Sequence, residues 1–562
     1  MSFQNCKLII LLCLMVCFTG IIDRELWTPD EPRVAAISLE MSRTGDLIIP
    51  RLAGAPFVEK PPLYFAGAGL AIRVLGDSFG IAGATRLTTV FWGLGVLLFT
   101  GLIARRLFGL RSTLPAMAIL ATMAGFVENF HWIRVDAALA FFVTAAVWAI
   151  VEGFETQCSR WFVLSGVFSI GAFLSKGFIG ALLIFVPFAG MIIARKLNRE
   201  NLLRNRRDTW AIMIGAILFF SGVLTWLMMF KITADAATWH EFFHVNHIGR
   251  FNGESTHKGH MHPHDPVYYV KTVLLYTMPW MPFVIAWFVK TIRNYRSLPK
   301  LHGTSTLFLF LWTVGTYLLL SLPSTKRDVY LLPVLPAFAI MASQCISGTM
   351  PKWCQRYCWF ITVLCLVLLI VFTVSPWITV LFVKAIPAQL QVPLSQWSIR
   401  HAICALSAIF CGYIALSMMK KHTSHAMCLF TSSALLFFGF FLVPMHIIDV
   451  EKNLEPGIHN YLAGIPEPLR DRVAGWNFSG TMLGLFYVYG DWAVPQITSR
   501  ERLDRIIAGC DEEYDSIIIN QEESIPDLIS RPYTLLRKGH PHGTKKKRIL
   551  YWIRGNAENP GI

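Results

Sequence analysis

The stretch 27–62, which lies between the first two apolar segments of the chain, holds a dense set of ionisable residues. They are Asp30, Glu31, Arg33, Arg51, Glu59 and Lys60. Ionisable groups beside a membrane are costly and are retained mainly where they function, so this density indicates a site. Asp30 has no local structural duty in this stretch, and we therefore predict a functional role for its carboxylate.

The residues around Asp30 fit the start of a helix. Thr28 would be the cap, Pro29 the first helical residue and Glu31 the capping-box partner. Val34, Ile37 and Met41 then recur at helical spacing. The pattern predicts an amphipathic helix over 29–42 that lies in the membrane interface rather than crossing the bilayer.

Further charged residues stand at the rims of apolar segments. Two prolines hold Glu59 and Lys60 in an extended turn, although an adjacent Glu-Lys pair can also be a simple surface ion pair. Asp136 opens one apolar segment, and Lys176 lies between two others. Each of these two residues fits either a functional group or an ordinary helix-end residue.

The segment 321–337 brings Lys326, Arg327 and Tyr330 to the mouth of a proline-broken helix. Arg offers a fork of hydrogen-bond donors and Lys a point charge. With the phenol beside them, these residue types are suited to a phosphate-binding corner. The alternative interpretation is a juxtamembrane anchor.

The segment 240–264 is rich in histidine. It holds seven of the sixteen His of the chain, and His240, His244 and His247 would share one face of a helix. Imidazole binds transition metals, but no spacing here matches a structural zinc module. The later residues of the segment fit a loop.

Composition places the chain among membrane proteins. Of its 562 residues 54% are hydrophobic and 15% are charged, whereas soluble domains have about a quarter charged. The net charge of +15 does not indicate nucleic acid, because Lys and Arg fall in short loops beside apolar segments. The twelve Cys form no CxxC pair, so neither a zinc module nor a disulfide framework is indicated.

Runs of about 20 apolar residues predict thirteen membrane spans. They are 7–22, 82–104, 113–129, 137–153, 161–175, 178–194, 209–231, 267–290, 305–322, 329–347, 358–384, 401–419 and 425–446. Three basic loops, after the second, sixth and eighth spans, place those loops and the N-terminus in the cytoplasm. The polar features named above then face outward, where we expect them to converge on one pocket.

The predicted organisation has two domains. Residues 1–446 form a transmembrane catalytic domain, which includes an outer-face loop over 23–81 with the amphipathic helix. Residues 447–562 form a small soluble α/β domain outside the cytoplasm. Its predicted strands are 482–489, 515–519 and 548–553, and its predicted capped helix runs from Ser499 to Gly509.

Order and spacing of these motifs resemble the lipid A aminoarabinose transferases and the related protein O-mannosyltransferases. The matching elements are DE-x-R at Asp30 to Arg33, EKP at Glu59 to Pro61, Asp136, SKG at Lys176, HIGRF at His247 to Arg250, and KR-x-x-Y at Lys326 to Tyr330. The resemblance implies a polytopic α-helical membrane protein with the C-type glycosyltransferase fold. It also implies transfer of a sugar from a polyprenyl phosphate such as undecaprenyl phosphate.

The resemblance also implies roles for individual residues. Asp30 would orient or deprotonate the nucleophile, with Asp136 as the second acidic residue of the catalytic pair. The donor phosphate would be held by Arg33, Lys60, Arg250, Lys326, Arg327 and Tyr330. Glu59 and His247 would be ligands of a divalent metal such as zinc.

The sequence thus predicts a multi-pass glycosyltransferase of the inner membrane, with a cytoplasmic N-terminus and a periplasmic C-terminal domain. Its partners would be the lipid bilayer, a polyprenyl-phosphate sugar donor and an acceptor, either lipid A or another envelope glycolipid. One alternative keeps the fold and makes the acceptor a protein Ser/Thr. The others are a lipid or solute transporter and a membrane scaffold without activity.

Overall fold

In this computed structural model, the structure describes most of the chain. The described residues are 3–156, 158–203, 206–249, 265, 267–294, 300–323, 326–346, 350–381, 398–420, 424–521, 533–539 and 549–555. They form two compact units. The bundle unit comprises Met1–Ile21, Val58–Tyr64 and Leu87–Met445, and the sheet unit comprises Ile22–Phe57, Phe65–Arg86 and His446–Ile562.

The bundle unit is built from α-helices. Their bounds are Phe3–Phe18, Leu63–Phe108, Thr113–Ala121, Ala124–Phe130, Asp136–Thr156, Arg160–Lys176, Phe178–Leu197, Arg206–Thr233, Ala236–His240, Tyr268–Tyr276, Met281–Asn294, Lys300–Ser321, Leu335–Ile346, Lys352–Thr373, Ser375–Leu381, Ile399–Met419 and His425–Leu442. Helix Leu63–Phe108 continues through part of the sheet unit. Short 3-10 turns occur at Leu110–Ser112 and Asp328–Val334, and a π-helix at Glu241–Gly249.

Within the described residues, nine helices are long and apolar enough to cross a membrane, or eleven if two bent pairs each count as one span. The bent pairs are Leu110–Ala121 with Ala124–Phe130 and Tyr268–Tyr276 with Met281–Arg293. Each of the thirteen predicted spans overlaps at least one helix of the described residues. Two of the helices that match predicted spans are shorter than a usual span: Phe3–Phe18 has 16 residues and Arg160–Lys176 has 17.

The second helix differs from the prediction. The apolar run indicated a span over 82–104, with a loop up to residue 81, whereas the helix already begins at Leu63. Its 46 residues contain one break, at Gly80, where φ is 68° and ψ is 170°. At about 1.5 Å per residue the helix is far longer than a bilayer core. Its early start shortens the predicted outer loop to residues before 63.

Besides parts of helices Leu63–Phe108 and Pro444–Lys452, the described residues of the sheet unit form five helices. They are Glu31–Thr44, Glu455–Ala463, Glu467–Arg470, Gly480–Gly490 and Arg500–Ile507. A small hairpin pairs β1 (Arg51–Leu52) with β2 (Ala55–Pro56). The larger sheet consists of β3 (Val473–Trp476), β4 (Gln496–Ile497), β5 (Ser516–Gln521), β6 (Tyr533–Gly539) and β7 (Ile549–Gly555).

The larger sheet has the order β4-β3-β5-β7-β6, in which β3, β4 and β5 are parallel and β7 runs antiparallel to its neighbours. Helix Gly480–Gly490 packs in a core cluster that contains Ile518 of β5, and helix Arg500–Ile507 in one that contains Ile517. Side chains alternate along a strand, so the two helices cover opposite faces of the sheet.

The predicted strands at 515–519 and 548–553 and the helix capped by Ser499 are confirmed. The predicted strand at 482–489 is wrong, because this segment is the helix Gly480–Gly490. Ser479 Oγ accepts a hydrogen bond from the amide of Met482, which starts the helix. A short run of apolar residues has no period that separates strand from helix.

Candidate active site

Glu31 is the centre of a buried ionic cluster in the sheet unit. Its carboxylate lies 3.3 Å from the guanidinium of Arg24 and 2.7 Å from that of Arg86, and it accepts a hydrogen bond from the amide of Trp27 at 2.9 Å. Burial alone would raise the pKa of Glu31, but the two arginines outweigh it and lower the pKa to about 2. Glu31 is therefore a structural anion.

The predicted capping box is wrong. The helix begins at Glu31 rather than at Pro29, and the residue that precedes it is Asp30, which makes no side-chain cap hydrogen bond. Glu31 reaches back to the amide of Trp27, but its carboxylate is held mainly by the two arginines. Arg86 is distant from Glu31 along the chain, and Arg24 lies outside the spacing of a capping box, which explains why local spacing indicated a cap.

Asp30 lies beside Arg33 at the start of the amphipathic helix Glu31–Thr44. The two side chains are 3.1 Å apart, and Asp30 is 22% exposed. The guanidinium of Arg33 also lies over the ring of Phe57, at 5.5 Å from the ring centroid. The ion pair fixes the direction of a partly accessible carboxylate, as a general base requires.

The C-terminal part of the chain packs directly against this segment. Thr481 donates a hydrogen bond from Oγ1 to the carbonyl of Pro29 at 2.6 Å. A Cβ added to Gly484 would lie 2.5 Å from the carbonyl oxygen of Pro32. Helix Gly480–Gly490 therefore approaches the Asp30 segment as closely as two backbones allow.

The bundle unit holds a second charged cluster, built around Asp136. This buried carboxylate forms an ion pair with Lys176, whose ammonium lies 3.8 Å from the ring centroid of Tyr330. Lys60 and Arg327 are close enough to interact electrostatically with the same carboxylate. Five of the residues that the sequence singled out, Tyr330 among them, thus meet although they lie on four separate segments of the chain.

Lys326 is nearby in sequence but has different surroundings. It is 3% exposed, and its ammonium donates to the carbonyl of Pro323 at 2.7 Å. Arg327 is half-buried and starts the 3-10 turn with an extended backbone. Pro333 lies inside this turn, where a proline lacks the amide that a regular helix needs.

The predicted metal ligands are only partly described. Glu59 is half-buried next to Lys60 in the bundle unit. His247 lies in the π-helix Glu241–Gly249, but its side chain is outside the described residues, as are Arg250 and the histidines of 257–264. His240 and His244 do stack, with ring centroids 4.8 Å apart. In the described part of the chain, no group of three His, Cys, Asp or Glu could hold a metal. Glu59 and His247 stay predictions.

The two partners of Glu31, Arg24 and Arg86, are not predicted from the sequence, because no local motif links them to Glu31. In the bundle unit, the contacts of His131 are not predicted either. Its ring nitrogens face the carbonyls of Val127 and Val16 at 2.6 and 2.7 Å, so His131 joins helices of the bundle.

Comparisons with known proteins bear on this arrangement. Residues 59–226 match the family described as dolichyl-phosphate-mannose-protein mannosyltransferase. The chain is 28% identical over 330 residues to an undecaprenyl phosphate-alpha-4-amino-4-deoxy-L-arabinose arabinosyl transferase of Shewanella sediminis, covering 57% of this chain and 56% of that protein. It is 29% identical over 332 residues to undecaprenyl phosphate-alpha-4-amino-4-deoxy-L-arabinose arabinosyl transferase 1 of Pseudomonas fluorescens. This match covers 56% of this chain and 55% of that protein.

The crystal structure of ArnT from Cupriavidus metallidurans bound to undecaprenyl phosphate superposes with a TM-score of 0.72, 17% identity and 98% coverage of both chains. The chain has the aminoarabinose transferase fold. The predicted resemblance and fold class are thereby confirmed, and the chain is a multi-pass membrane protein with that fold. By sequence it spans little more than half the length of the curated relatives that it matches.

Proposed function

We propose that this protein is an integral membrane glycosyltransferase. It transfers a sugar from a polyprenyl phosphate to an acceptor at the outer face of the inner membrane, and the acceptor is lipid A or another envelope glycolipid. The observation that carries the proposal is the cluster of Lys60, Lys176 and Arg327 around Asp136. Support comes from relatives whose names specify an undecaprenyl phosphate-linked sugar.

In the proposed reaction an acceptor hydroxyl attacks the anomeric carbon of the donor sugar. The bond between that carbon and the phosphate oxygen breaks, the polyprenyl phosphate leaves, and Asp30 takes the proton of the hydroxyl. Arg33 holds the Asp30 carboxylate in one direction. A phosphate is a good leaving group, so cations that stabilise its developing charge are sufficient without a separate acid.

The cations of the bundle unit would bind the donor phosphate. Lys60, Lys326, Arg327, Tyr330 and Arg250 keep this predicted role, and Lys176 joins them because of its position above Tyr330. We propose that Asp136 acts through Lys176, by holding its ammonium in place. Asp136 would then be a positioning residue rather than the base.

Substitution of Asp30 tests the base. Asp30→Asn in the purified protein should lower the rate of sugar transfer from a labelled undecaprenyl phosphate donor at least a hundredfold, while donor affinity stays within twofold. Asp471→Asn is the matched control, because Asp471 is exposed in the same unit. A normal rate for Asp30→Asn would exclude Asp30 as the base.

Donor binding is tested separately. Lys60→Gln and Arg327→Gln should each weaken binding of undecaprenyl phosphate about tenfold, as expected for loss of a charge-assisted contact. Lys290→Gln, in the last turns of helix Met281–Asn294, is the control. Unchanged affinity in both variants would remove these residues from the phosphate site.

A second candidate is transfer to Ser or Thr of envelope proteins, and the match of residues 59–226 to the protein mannosyltransferase family favours it. Mass spectrometry of lipid A and of envelope glycoproteins from a deletion strain distinguishes the two. Loss of a sugar mass from lipid A supports the first candidate, and loss from a protein supports the second. The localisation of the C-terminal domain in the periplasm is part of both candidates.

A further inference from the structure

The larger sheet of the sheet unit has the strand order of a doubly wound fold at its parallel end. β3 lies between β4 and β5, and all three are parallel. The chain passes from β3 to β4 on one side and then to β5 on the other, so the winding direction changes beside β3. In open α/β sheets, ligands bind outside the carboxyl ends of the strands at such a point.

Helix Gly480–Gly490 begins at this edge of the sheet. Asn477, which directly follows β3, has a φ of 61° and turns the chain toward the helix. Ser479 Oγ accepts from the amide of Met482 at 3.3 Å. Gly480 and Thr481 are the first two residues of this helix, so their amides have no acceptor within it. Such amides at the start of a helix attract anions.

A buried side-chain amide lies beside this helix start. Asn520, in β5, is 3% exposed, and neither its Oδ1 nor its Nδ2 has a hydrogen-bond partner within the described structure. It shares a face of the sheet with Ile518, which packs against Met482 and Leu485 of the helix. Asn477 donates from Nδ2 to the backbone carbonyl of Asn520 at 3.3 Å. The Asn520 side chain therefore lies on the face of the sheet that this helix covers, next to Asn477, which precedes the helix start.

The surroundings are suited to an oxyanion. Native proteins satisfy nearly all buried polar side chains, so an orphaned amide at the ligand edge of a sheet needs an explanation. The side chain of Arg33 runs along the helix start, because a Cβ added to Gly480 would lie 2.9 Å from Arg33 Cδ. Two backbone amides, one side-chain amide and one guanidinium side chain thus occur together.

We propose that the start of helix Gly480–Gly490, beside Asn520 and Arg33, binds a phosphate group. The amides of Gly480 and Thr481 and Nδ2 of Asn520 donate to the phosphate oxygens, and Arg33 contributes positive charge. Asn520 Oδ1 accepts from a hydroxyl of the same ligand. The ligand is a phosphate ester, either soluble or the head group of a lipid. All residues of the proposed phosphate site belong to the sheet unit, and this proposal does not depend on the proposed transfer reaction.

The test uses the full chain in phosphatidylcholine nanodiscs, titrated with inorganic phosphate by calorimetry. An Arg327→Gln background weakens the phosphate site proposed in the bundle unit. Asn520→Leu should bind phosphate at least tenfold more weakly than its parent. In the absence of phosphate, the thermal midpoint of Asn520→Leu should be equal to or higher than that of its parent, because leucine removes an unsatisfied polar group. Asn460→Leu, an exposed position in the same unit, is the matched control and should bind like the parent.

If Asn520→Leu fails to fold, Asn520→Asp gives the answer, because it keeps the size and adds a negative charge that repels phosphate. It should also bind at least tenfold more weakly. Nanodiscs that contain phosphatidic acid identify the source: competition with inorganic phosphate indicates a lipid head group, and no competition indicates a soluble ester. Absence of binding by the parent, or equal binding by the Asn520 variants, overturns the proposal. If Asp30→Asn did not reduce sugar transfer, the proposed base would be refuted, but the proposal of a phosphate site would not be affected.

Discussion

Two adjacent carboxylates at the start of the amphipathic helix Glu31–Thr44 have different surroundings. Asp30 is partly exposed and has Arg33 beside it at 3.1 Å. Glu31 is completely buried between Arg24 and Arg86. A buried charge that loses a partner is left uncompensated in a medium of low dielectric constant. Substitution of Glu31 should therefore affect folding, whereas substitution of Asp30 should affect transfer.

Glu31→Gln should lower the free energy of unfolding by about 3 kcal/mol, because it leaves two buried guanidinium groups without their anion. The pH dependence follows from the lowered pKa. Glu31 is stabilising above its ordinary pKa of 4.5, and this contribution is lost as the pH falls toward the folded-state pKa of about 2. Thermal midpoints of the detergent-solubilised protein between pH 6 and 2 measure both effects.

The control for this prediction is Glu467→Gln, since the side chain of Glu467 is 84% exposed in the same unit. Glu467→Gln should have the same thermal midpoint as the natural protein, and it should lose the same stability as the pH falls. If Glu31→Gln showed the same acid-dependent loss as the natural protein, the buried cluster would not be its source.

Asp136 and Lys176 should behave as a coupled pair in donor binding. A double-mutant cycle with Asp136→Asn and Lys176→Gln should give a coupling energy of about 1–3 kcal/mol for binding of undecaprenyl phosphate, because each side chain holds the other. Helix Asp136–Thr156 offers a matched pair near its other end, Glu152 with Arg106 at 2.7 Å. That pair should give a donor-binding coupling near zero, and equal coupling in both pairs would contradict the assignment.

At the scale of elements, the contact between helix Gly480–Gly490 and the start of the amphipathic helix allows no side chain at Gly484. The Cβ of Gly484→Ala would lie 2.5 Å from the carbonyl oxygen of Pro32, so one helix must shift. We expect a loss of about 1–3 kcal/mol in the free energy of unfolding. We also expect transfer activity to fall by at least tenfold.

Activity and thermal midpoint of Gly484→Ala are best compared with those of Gly412→Ala. A Cβ at Gly412 would lie 3.8 Å from Leu366, which is an ordinary contact, so this variant should behave like the natural protein. Full activity of Gly484→Ala at an unchanged midpoint would show that the two helices are not tightly packed.

The elements show what sequence patterns can and cannot predict. Apolar length is a local property, and for this reason each of the thirteen predicted spans overlaps a described helix, although the bounds differ. The apolar run of the segment 482–489 has no clear period, so the sequence pattern does not separate strand from helix there. Ser479, just before it, is a residue type that favours the start of a helix, and it does cap the helix. Helix Leu63–Phe108 starts earlier than the predicted span because its first turns are also apolar, but Arg73 and Asp77 interrupt the apolar run before residue 82.

The same limit holds for the site. Lys60, Asp136, Lys176, Arg327 and Tyr330 could be chosen individually because each is a polar residue at the rim of an apolar segment. Their meeting in the bundle unit depends on helix packing, which the sequence does not display. The ionic role of Glu31 is not predicted for a related reason: Arg86 is remote in sequence, and no motif links Arg24 to Glu31.

For the whole molecule, the predicted orientation in the membrane can be tested with native cysteines. Cys510 is exposed in the sheet unit, and Cys158 is half-buried between two helices on the predicted cytoplasmic side. In right-side-out spheroplasts a membrane-impermeant maleimide should label Cys510 at once and Cys158 only after permeabilisation. Cys510→Ser and Cys158→Ser identify the labelled bands. Labelling in the reverse order would invert the topology and remove the proposed outer-face reaction.

The larger sheet ends in two different edges. β4 has only two residues and offers little backbone to another strand. β6 is longer and exposes Leu535 and Leu536, but Arg537 and Lys538 follow them immediately. An identical edge that approached in register would bring like charges together, a common protection against strand addition. Copies crowded in one bilayer should therefore stay separate and not polymerise into fibrils through this domain.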